Sequence, residues 1–476
     1  MRAGDGRAAP GELAIVLHTH MPYVEGFGAW PFGEEWLWEA IATSYLPLLD
    51  VLDAAPGLVT LSVTPVLADQ LEAPGVAERF DAFARDLRRR SHELDAGAAE
   101  PAVARELRRA YGQYARAAEA MAARGGDLVR AFAAHVAWTS AATHAVLPLV
   151  ATDAGVRLQL ETGIAAHRAR FGVWGGGLWL PECAYAPWLD PLLAQAGVRA
   201  VCVEMPGLDG PARTPAGPLL VPIDRAVIDL VWGRDGYPAA AAYRDSHRLT
   251  GCQHKPWAND GAVYDPARAA AQVAADAADF VARAGARLAG GGLCVCALDT
   301  ELLGHWWHEG VDWLAAVLVQ AARAGLAVVP LDEALVRHGA GPAPASRGAD
   351  RAPASRGADP TLARHDAAPA PADLPVTTWG TPRTLWTWSG PQVADIAWAQ
   401  RRAELDVVAA GAGASDRALR ELLMLQSSDW AFMVSRDLAE PYARERVATH
   451  TAGVRAALGA AAPPALRSLA PRLAPI

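Results

Sequence analysis

The sequence has almost no lysine, few cysteines and no long apolar run, and each shortage excludes a class of protein. Lys255 is the only lysine among 43 basic residues, and the net charge of −9 and the lack of a basic run argue against a nucleic-acid partner. No apolar stretch reaches the ~20 residues needed to cross a bilayer, so we expect no membrane partner. The five cysteines form no CxxC pair, which indicates reduced thiols in an intracellular protein.

The N-terminal stretch also lacks a usable signal peptide, because its apolar run is short and ends in histidines. We therefore expect a cytoplasmic protein. With 476 residues, of which 52% are hydrophobic and 20% charged, the chain can bury one large core and a smaller domain. A monomer is compatible with this composition.

Short apolar runs of strand length recur along the chain, and each ends in polar or aromatic residues. Between them, Ala/Arg-rich stretches at 99–123, 266–288 and 312–324 have helical periodicity. This alternation predicts an α/β protein with a parallel sheet, most economically a closed barrel, whose chemistry lies at the carboxyl ends of the strands. The predicted strands are 13–20, 58–64, 136–140, 177–182, 199–204, 226–232, 292–299 and 326–331.

Changes in composition divide the chain into segments. Residues 1–337 hold the predicted barrel, and the charged stretch 72–130 is expected to be a helical insertion. Residues 338–374 are rich in Pro, Ala and Gly and contain the repeat APASRGAD twice, which is typical of a disordered linker or loop. Residues 375–476 are expected to form a C-terminal helical domain packed on the barrel.

The stretch LHTH contains two histidines that lie two residues apart, His18 and His20. On a strand, both side chains face the same side. They are therefore either a pair of metal ligands, hydrogen-bonding groups for a substrate, or histidines that cap the end of the strand. The spacing alone does not choose among these.

Two acidic side chains are expected at the ends of strands. Glu182 follows Pro181 in WLPECAYAPW, surrounded by aromatic residues whose faces suit sugar rings, and Asp299 ends the run GLCVCALD. Two such carboxyl groups are what glycosidic bond cleavage needs, because one protonates the leaving oxygen and the other attacks the anomeric carbon or activates water. A salt-bridged loop carboxylate remains the alternative for Glu182.

The stretch after Asp299 offers a competing metal site. His305 and Glu309 are spaced i, i+4, and His308 lies between them. The order of these residues does not match the HExxH motif, and no third ligand is evident. A metal site is therefore the less favoured interpretation of this stretch.

Several blocks together resemble glycoside hydrolase family 57 and, within it, the 1,4-α-glucan branching enzymes. They cover nearly the whole chain apart from 338–374, and several are long enough to be specific. The blocks are LHTHMPYVEGFGAWPFGEEWLWEAIATSYLPLL, TPVLADQL, TSAATHAVLPLV, WLPECAY, ALDTELLGHWWHEG and SSDWAFMV.

The resemblance implies a distorted (β/α)7 barrel with a C-terminal helical domain and a retaining mechanism without metal or cofactor. Glu182 would be the nucleophile and Asp299 the acid/base, with their carboxyl groups about 5–5.5 Å apart. The substrate would be an α-glucan such as amylose. Residues expected to bind it are His18, His20, Trp30, His144, Tyr237, Lys255, Trp257, His305, Trp306, Trp379, Trp386, Asp429 and Trp430.

The loop GRDGYPAAAAYRD resembles a loop that covers the active site in this family, and Tyr237 matches the tyrosine that keeps water off the glycosyl intermediate. Two departures stand out. Val136 occupies a position where the family usually has a glutamate, which puts activity or substrate choice in doubt. Ala239 replaces the last glycine of GYPG, which would strain the turn if that residue needed a positive φ.

The resemblance favours a branching enzyme, which cuts an α-1,4 bond and passes the chain to a glucose 6-hydroxyl. A 4-α-glucanotransferase or α-amylase-like hydrolase of the same family is the alternative, because the loop differs. A glucan-binding protein with weakened catalysis is the third interpretation, because of Val136.

Overall fold

The structure is a computed structural model that describes residues 11–26, 33–338, 368–370 and 373–458. Most of the predicted 338–374 linker and residue Trp30 lie outside these ranges. The strands in the described part of the chain are β1 (Glu12–Thr19), β2 (Val59–Val63), β3 (Val136–Ser140), β4 (Gly177–Trp179), β5 (Ala200–Val203), β6 (Ala212–Arg213), β7 (Leu219–Pro222), β8 (Leu293–Asp299), β9 (Ala327–Val328) and β10 (Ala368–Pro369).

The sheet runs in the order β10-β6-β7-β5-β4-β3-β2-β1-β8, and β9 pairs with the start of β1. Seven of its strands, from β7 through β5 to β1 and β8, run parallel. Between β7 and β8 the Asp224 N–H donates to the Val295 carbonyl at 2.8 Å. The predicted distorted (β/α)7 barrel is therefore confirmed.

Parallel strands with helices on their outer face bury both sides, which explains why the strand sequences are continuously apolar rather than alternating. All eight residues of β1 are buried. The helices are α1 (Glu34–Ala40), α2 (Leu46–Ala54), α3 (Pro65–Leu71), α4 (Val76–Ala82), α5 (Arg88–Ala98), α6 (Pro101–Ala123), α7 (Leu128–Phe132), α8 (Asp153–Phe171), α9 (Asp190–Gln195), α10 (Arg225–Trp232), α11 (Pro266–Arg287), α12 (Gly310–Ala324), α13 (Leu331–His338), α14 (Trp386–Ser389), α15 (Ala394–Ala410), α16 (Asp416–Leu425), α17 (Ser428–Ser435) and α18 (Glu440–Leu458). Within the described ranges no helix is both long and apolar enough to cross a membrane.

The C-terminal helices α14 to α18 form a second apolar core that joins the barrel. Leu422, Leu423 and Trp430 are fully buried in it, together with Val66 and Ala142 from the barrel side. Polar contacts cross the same boundary, and the side-chain amide of Gln159 on α8 donates to that of Gln426 at 3.0 Å. This packing brings the start of α17 to the carboxyl ends of the barrel strands.

One of the predicted strands is wrong, and another is much shorter than predicted. The run 226–232 lies in helix α10, because the Asp224 side chain caps the Val227 N–H and the apolar residues are buried on one face of the helix. The strand in this region is β7. Its four residues lie among prolines, which obscured the strand pattern in the sequence. In 326–331 only Ala327–Val328 is extended, and α13 begins at Leu331.

Gly304 allows the stretch after Asp299 to pass close to the helical layer. Its φ is +93°, and an added Cβ would overlap the carbonyl oxygen of Thr43. We expect Gly304→Ala to lower the free energy of unfolding by about 2–4 kcal/mol. The alanine would have to adopt a left-handed backbone conformation, and its Cβ would also overpack against Thr43. Thermal and urea unfolding would measure this loss.

Gly290→Ala is the matched control for this substitution. Gly290 has no atom within 4 Å of an added Cβ, and its φ is not positive. Equal stabilities of the two variants would contradict the role given to Gly304.

Candidate active site

The carboxyl ends of β8, β1 and β2 set three polar side chains side by side. In the strand register, His18 of β1 lies opposite Asp299 of β8 on one side and Ser62 of β2 on the other. The pairing register therefore fixes which groups face each other at the mouth of the barrel.

Three histidines and one tryptophan form a stack of rings across this mouth. The His18 ring lies 4.7 Å from the Trp179 ring and 4.9 Å from the His144 ring, and His20 lies 4.1 Å from His144. The planes of these neighbours differ by less than 20°. The structure thus brings together three of the four histidines predicted to bind substrate.

The hydrogen bonds of His18 and His144 fix how these rings are protonated. The Ser62 hydroxyl donates to the Thr139 carbonyl, so it accepts the Nδ1–H of His18 at 3.2 Å. The Ser428 hydroxyl donates to Glu182, so it accepts the Nδ1–H of His144 at 2.8 Å. Each Nε2 is then a bare acceptor.

Both rings are neutral, because burial and then neighbouring histidines lower the pKa of His18 and His144 well below its usual value. Neither Nε2 atom is bonded to any described residue, although both are buried. A buried acceptor without a partner is costly, so these two atoms are suited to receive hydroxyl groups of a bound molecule.

His20 differs from the other two histidines because both of its ring nitrogens have hydrogen-bond partners. Its Nδ1 lies 3.1 Å from the Thr64 hydroxyl, and its Nε2 lies 3.0 Å from both oxygens of Asp429. The ring is therefore held between Thr64 and Asp429. Burial alone would raise the pKa of Asp429, but His20 holds it below its usual value.

Glu182 lies in a strained turn directly after β4. Its φ is +62° and that of Cys183 is +48°, and His144 has a positive φ as well. Non-glycine residues in this region are strained, and such strain clusters at functional sites. The side chain of Glu182 is 14% exposed, so it is largely enclosed but can be reached.

Two donors hold the Glu182 carboxyl group. The Trp379 indole N–H donates to Oε2 at 3.1 Å, and the Ser428 hydroxyl donates to Oε1 at 3.1 Å. Burial raises the pKa of Glu182 to about 7, and these two hydrogen bonds oppose a larger rise. The charged form of Glu182 is therefore supported from both sides.

Asp299 lacks such support. It is partly exposed, and its carboxyl group accepts no hydrogen bond from any residue that the structure describes. Burial, and then the charges of Glu182 and Asp429, raise its pKa to about 8. The pKa values of both carboxyl groups at the mouth are thus raised, but only Glu182 has hydrogen-bond donors that oppose the rise.

Glu301 binds the end of β1 and the helical layer through hydrogen bonds. Its Oε1 accepts the His20 backbone N–H at 3.1 Å and the Tyr45 hydroxyl at 2.7 Å. Burial raises the pKa of this carboxyl group well above its usual value. Glu301 thereby ties the end of β1 to the turn that follows Asp299.

Lys255 and His305 lie together, next to the helical layer. Burial, and then Arg244 and Arg88, lower the pKa of Lys255 to about 8, and burial, and then Lys255 and Arg88, lower the pKa of His305 to about 3. Trp306 follows directly and is 50% exposed, with its ring edge-on to His305. These three predicted binding residues form one polar and aromatic wall.

The other predicted tryptophans are found in different environments. Trp386 is 58% exposed at the start of α14, so its ring face is free to stack. Trp257 is partly buried, and its ring is covered by the Arg248 guanidinium at 4.1 Å. Trp430 is fully buried and donates to the Met424 carbonyl at 2.8 Å, so it is part of the core and the prediction that it stacks on a glucan is wrong.

Tyr237 does not lie where the sequence placed it. Its hydroxyl donates to Asp279 of α11 at 2.8 Å, and its ring contacts Trp313 of α12. This tyrosine therefore packs against the outer helices, where it has a carboxylate acceptor and an apolar neighbour, rather than over the carboxyl pair. Ala239 has no positive φ, so the strain expected there is absent.

Val136 is the first residue of β3 and pairs with Leu61, which directly precedes Ser62 of the site. Its half-buried side chain packs against the apolar core of the barrel. The position where a glutamate was expected is therefore occupied by an apolar residue one register step before the site.

Two contributors were missed in the sequence. Ser428 bridges His144 and Glu182, and only its place beside Asp429 in SSDWAFMV pointed to it. Glu204, 3% exposed at the end of β5, lies between Arg225 and Arg383. An acid directly after an apolar strand was the available signal, as it was for Asp299.

Comparisons with known proteins agree with this geometry. The signature described as Glycosyl hydrolase family 57 matches residues 137–340, and that described as 1,4-alpha-glucan branching enzyme, C-terminal, matches residues 397–467. The chain is 34% identical to a protein of Mycobacterium tuberculosis named "Probable 1,4-alpha-glucan branching enzyme", over 95% of this chain and 93% of that protein.

Two archaeal proteins are similar as well. A 1,4-alpha-glucan branching enzyme of Thermococcus kodakarensis is 30% identical over 93% of this chain and 72% of its own length. The crystal structure of a GH57-type branching enzyme from Pyrococcus horikoshii has a TM-score of 0.81 and 28% identity, and the match covers 92% of this chain and 88% of that one. Similarity of this extent leads to one assignment: the chain belongs to glycoside hydrolase family 57.

Proposed function

We propose that this protein is a retaining 1,4-α-glucan branching enzyme. The difference in hydrogen bonding between the two carboxyl groups carries the proposal: two donors bind Glu182 and favour its ionised form, whereas Asp299 has no such donor among the described residues and its pKa is raised to about 8. The relatives named as branching enzymes, which match nearly the whole chain, supply the reaction and the substrate class.

The first half-reaction uses both groups. A Glu182 carboxylate oxygen attacks the anomeric carbon while the Asp299 proton passes to the departing glycosidic oxygen, which leaves as the 4-hydroxyl of the remaining chain. The Nε2 atoms of His18 and His144 accept hydroxyl protons of the sugar at the reacting position. The hydrogen-bonded pair of His20 and Asp429 lies beside these two histidines.

The second half-reaction forms the branch. Asp299, now a carboxylate, takes the proton of a glucose 6-hydroxyl, whose oxygen attacks the anomeric carbon and releases Glu182. Two inversions give net retention. Trp306 and Trp386 are the exposed rings best placed to stack on glucan chains.

The test is incubation of the protein with amylose. We expect loss of the iodine colour and new α-1,6 linkages by proton NMR, without a matching rise in reducing ends. A rise in reducing ends without new linkages would instead show an α-amylase-like hydrolase, and redistribution of maltooligosaccharides a 4-α-glucanotransferase. The position of Tyr237 away from the carboxyl pair favours the hydrolase alone, because a transferase of either kind has to keep water from the intermediate.

The proposed roles predict a narrow dependence on pH. Attack needs ionised Glu182, so kcat/KM should rise as pH passes about 7, and protonation of the leaving oxygen needs the acid form of Asp299, so it should fall as pH passes about 8. The two limbs report apparent pKa values of the interacting pair. Initial rates of glucan cleavage across pH measure the profile, and a flat one would contradict it.

We also propose a cytoplasmic location. All five cysteines are free in the structure, and four of them are buried, as expected for a protein that stays in a reducing compartment. Fractionation of cells that express the protein, with immunodetection, tests this.

A further inference from the structure

Trp379 holds the candidate nucleophile through its backbone as well as its indole ring. Its backbone N–H donates to the Glu182 carbonyl at 3.1 Å, and its indole N–H donates to Glu182 Oε2 at the same distance. The ring packs edge-on against Trp179 at 5.2 Å. The strained turn at Glu182 is therefore held by a residue almost 200 positions later in the chain.

Trp379 is not part of a helix or strand, so other contacts must fix it. It belongs to residues 377–383, which we call the Trp379 strap. Thr377 and Tyr185 exchange two backbone hydrogen bonds of 2.9 and 3.0 Å, and the Thr377 hydroxyl donates to the Glu204 carbonyl at 2.8 Å. These bonds fix only the beginning of the strap.

Glu204 fixes the rest of the strap through two arginines. Its carboxylate lies 3.3 Å from Arg383 Nε at the end of the strap and 3.6 Å from Arg225 Nη1 at the start of α10. The same Arg225 nitrogen donates to the Trp379 carbonyl at 3.5 Å. The carboxylate is 3% exposed, so it cannot exchange these partners for water.

We propose that Glu204 is a positioning residue: by joining Arg225 and Arg383 it holds the Trp379 strap so that the indole N–H stays on Glu182 Oε2. It does not touch substrate and acts through Trp379. The inference rests on the proposed role of Glu182 as nucleophile. Apart from Arg225 and Arg383, the titratable groups facing Glu204 are Asp229 and Cys183, and those facing Glu182 are Asp299, Asp429, His20, His144 and Cys183.

Glu204→Gln tests the inference because it keeps the size of the side chain and removes the charge that binds both arginines. The Trp379 bond favours the ionised form of Glu182, so loosening it should move the acidic limb of kcat/KM to higher pH. At neutral pH we expect kcat to fall roughly 10-fold, with little change in KM. Trp379→Phe, which removes the indole N–H directly, should move the same limb further.

Asp229→Asn is the matched control. Asp229 pairs with the same Arg225 at 2.8 Å but is half exposed and does not contact the strap, so its loss should leave the limb in place. The double variant of Glu204→Gln and Trp379→Phe should shift the limb no further than Trp379→Phe alone. The inference would be overturned if the acidic limb of kcat/KM stayed in place in Glu204→Gln, even if the melting temperature fell. It would also be overturned if the shifts of the two single variants added fully in the double variant.

A direct titration separates this inference from the proposed function. The Glu182 carboxyl carbon can be followed by 13C NMR in protein labelled at glutamate, with Glu182→Gln identifying its signal. Failure of wild type on amylose would refute the proposed function. The NMR midpoint would still rise in Glu204→Gln if the strap is held as inferred, and would stay unchanged if it is not.

Discussion

Glu182→Gln is expected to reduce glucan cleavage and transfer by at least about 1,000-fold, because the covalent intermediate can no longer form. The amide is close in size to the carboxyl group, so the fold should persist. Initial rates with amylose and with an α-glucosyl fluoride measure the loss, and both should fall together because both reactions need the nucleophile.

Azide gives a sharper test of the same role. In Glu182→Ala, azide should enter the space left by the carboxylate and yield a β-glycosyl azide from an α-glycosyl fluoride, since a single inversion takes place. Asp190→Asn is a matched control, because Asp190 is a buried acid just beyond the same turn whose carboxylate accepts the Tyr185 hydroxyl at 2.9 Å and also lies beside the Thr214 hydroxyl. Retention of activity in Glu182→Gln would exclude the nucleophile role.

Asp299→Asn is the substitution with the second large expected effect on activity. General acid catalysis contributes about 100- to 10,000-fold, so cleavage of amylose should fall by this factor. Fluoride leaves without protonation, so the first half-reaction of a glycosyl fluoride should be affected far less than amylose cleavage. The limb of the pH profile near pH 8 should also disappear, because Asp299 produces it.

Azide distinguishes this residue from Glu182. In Asp299→Ala, azide attacks the glycosyl intermediate on Glu182, and the product should be an α-glycosyl azide after two inversions. Glu309→Gln serves as a comparison, because Glu309 is a buried acid in the same block that accepts the Arg244 backbone N–H. A β-glycosyl azide from Asp299→Ala would reverse the two assignments.

Much of the barrel was predictable because buried parallel strands and their covering helices have strong local signals. The run at β8 and the periodic stretch at α11 lie within a few residues of their predicted bounds. The run 226–232 was misassigned because a short apolar run has no period that separates a strand from one buried helical turn. Its Asp224 cap was visible in the sequence and identifies the helix.

The site was predictable where groups follow strands, and less so where distant segments meet. His18, Glu182 and Asp299 all lie at or just beyond the carboxyl ends of strands, so a common position at the mouth of the barrel could be expected. Ser428 and the Trp379 strap reach the same point only through tertiary packing, which no local pattern encodes. Trp430 and Tyr237 show the converse: aromatic identity alone does not tell a stacking surface from a core residue.

The contact between α17 and Glu182 has a consequence for how activity arises during synthesis. Ser428 and Asp429, close to the end of the described chain, complete a site whose first members are His18 and His20. In a ribosome-bound chain, or in one cut before α17, Glu182 lacks one of its two donors and His20 lacks its hydrogen-bond partner Asp429. The active site is therefore complete only after α17 has been synthesised and packed on the barrel. For the same reason, the barrel and the C-terminal helices cannot be exchanged between relatives as independent modules unless this contact is kept.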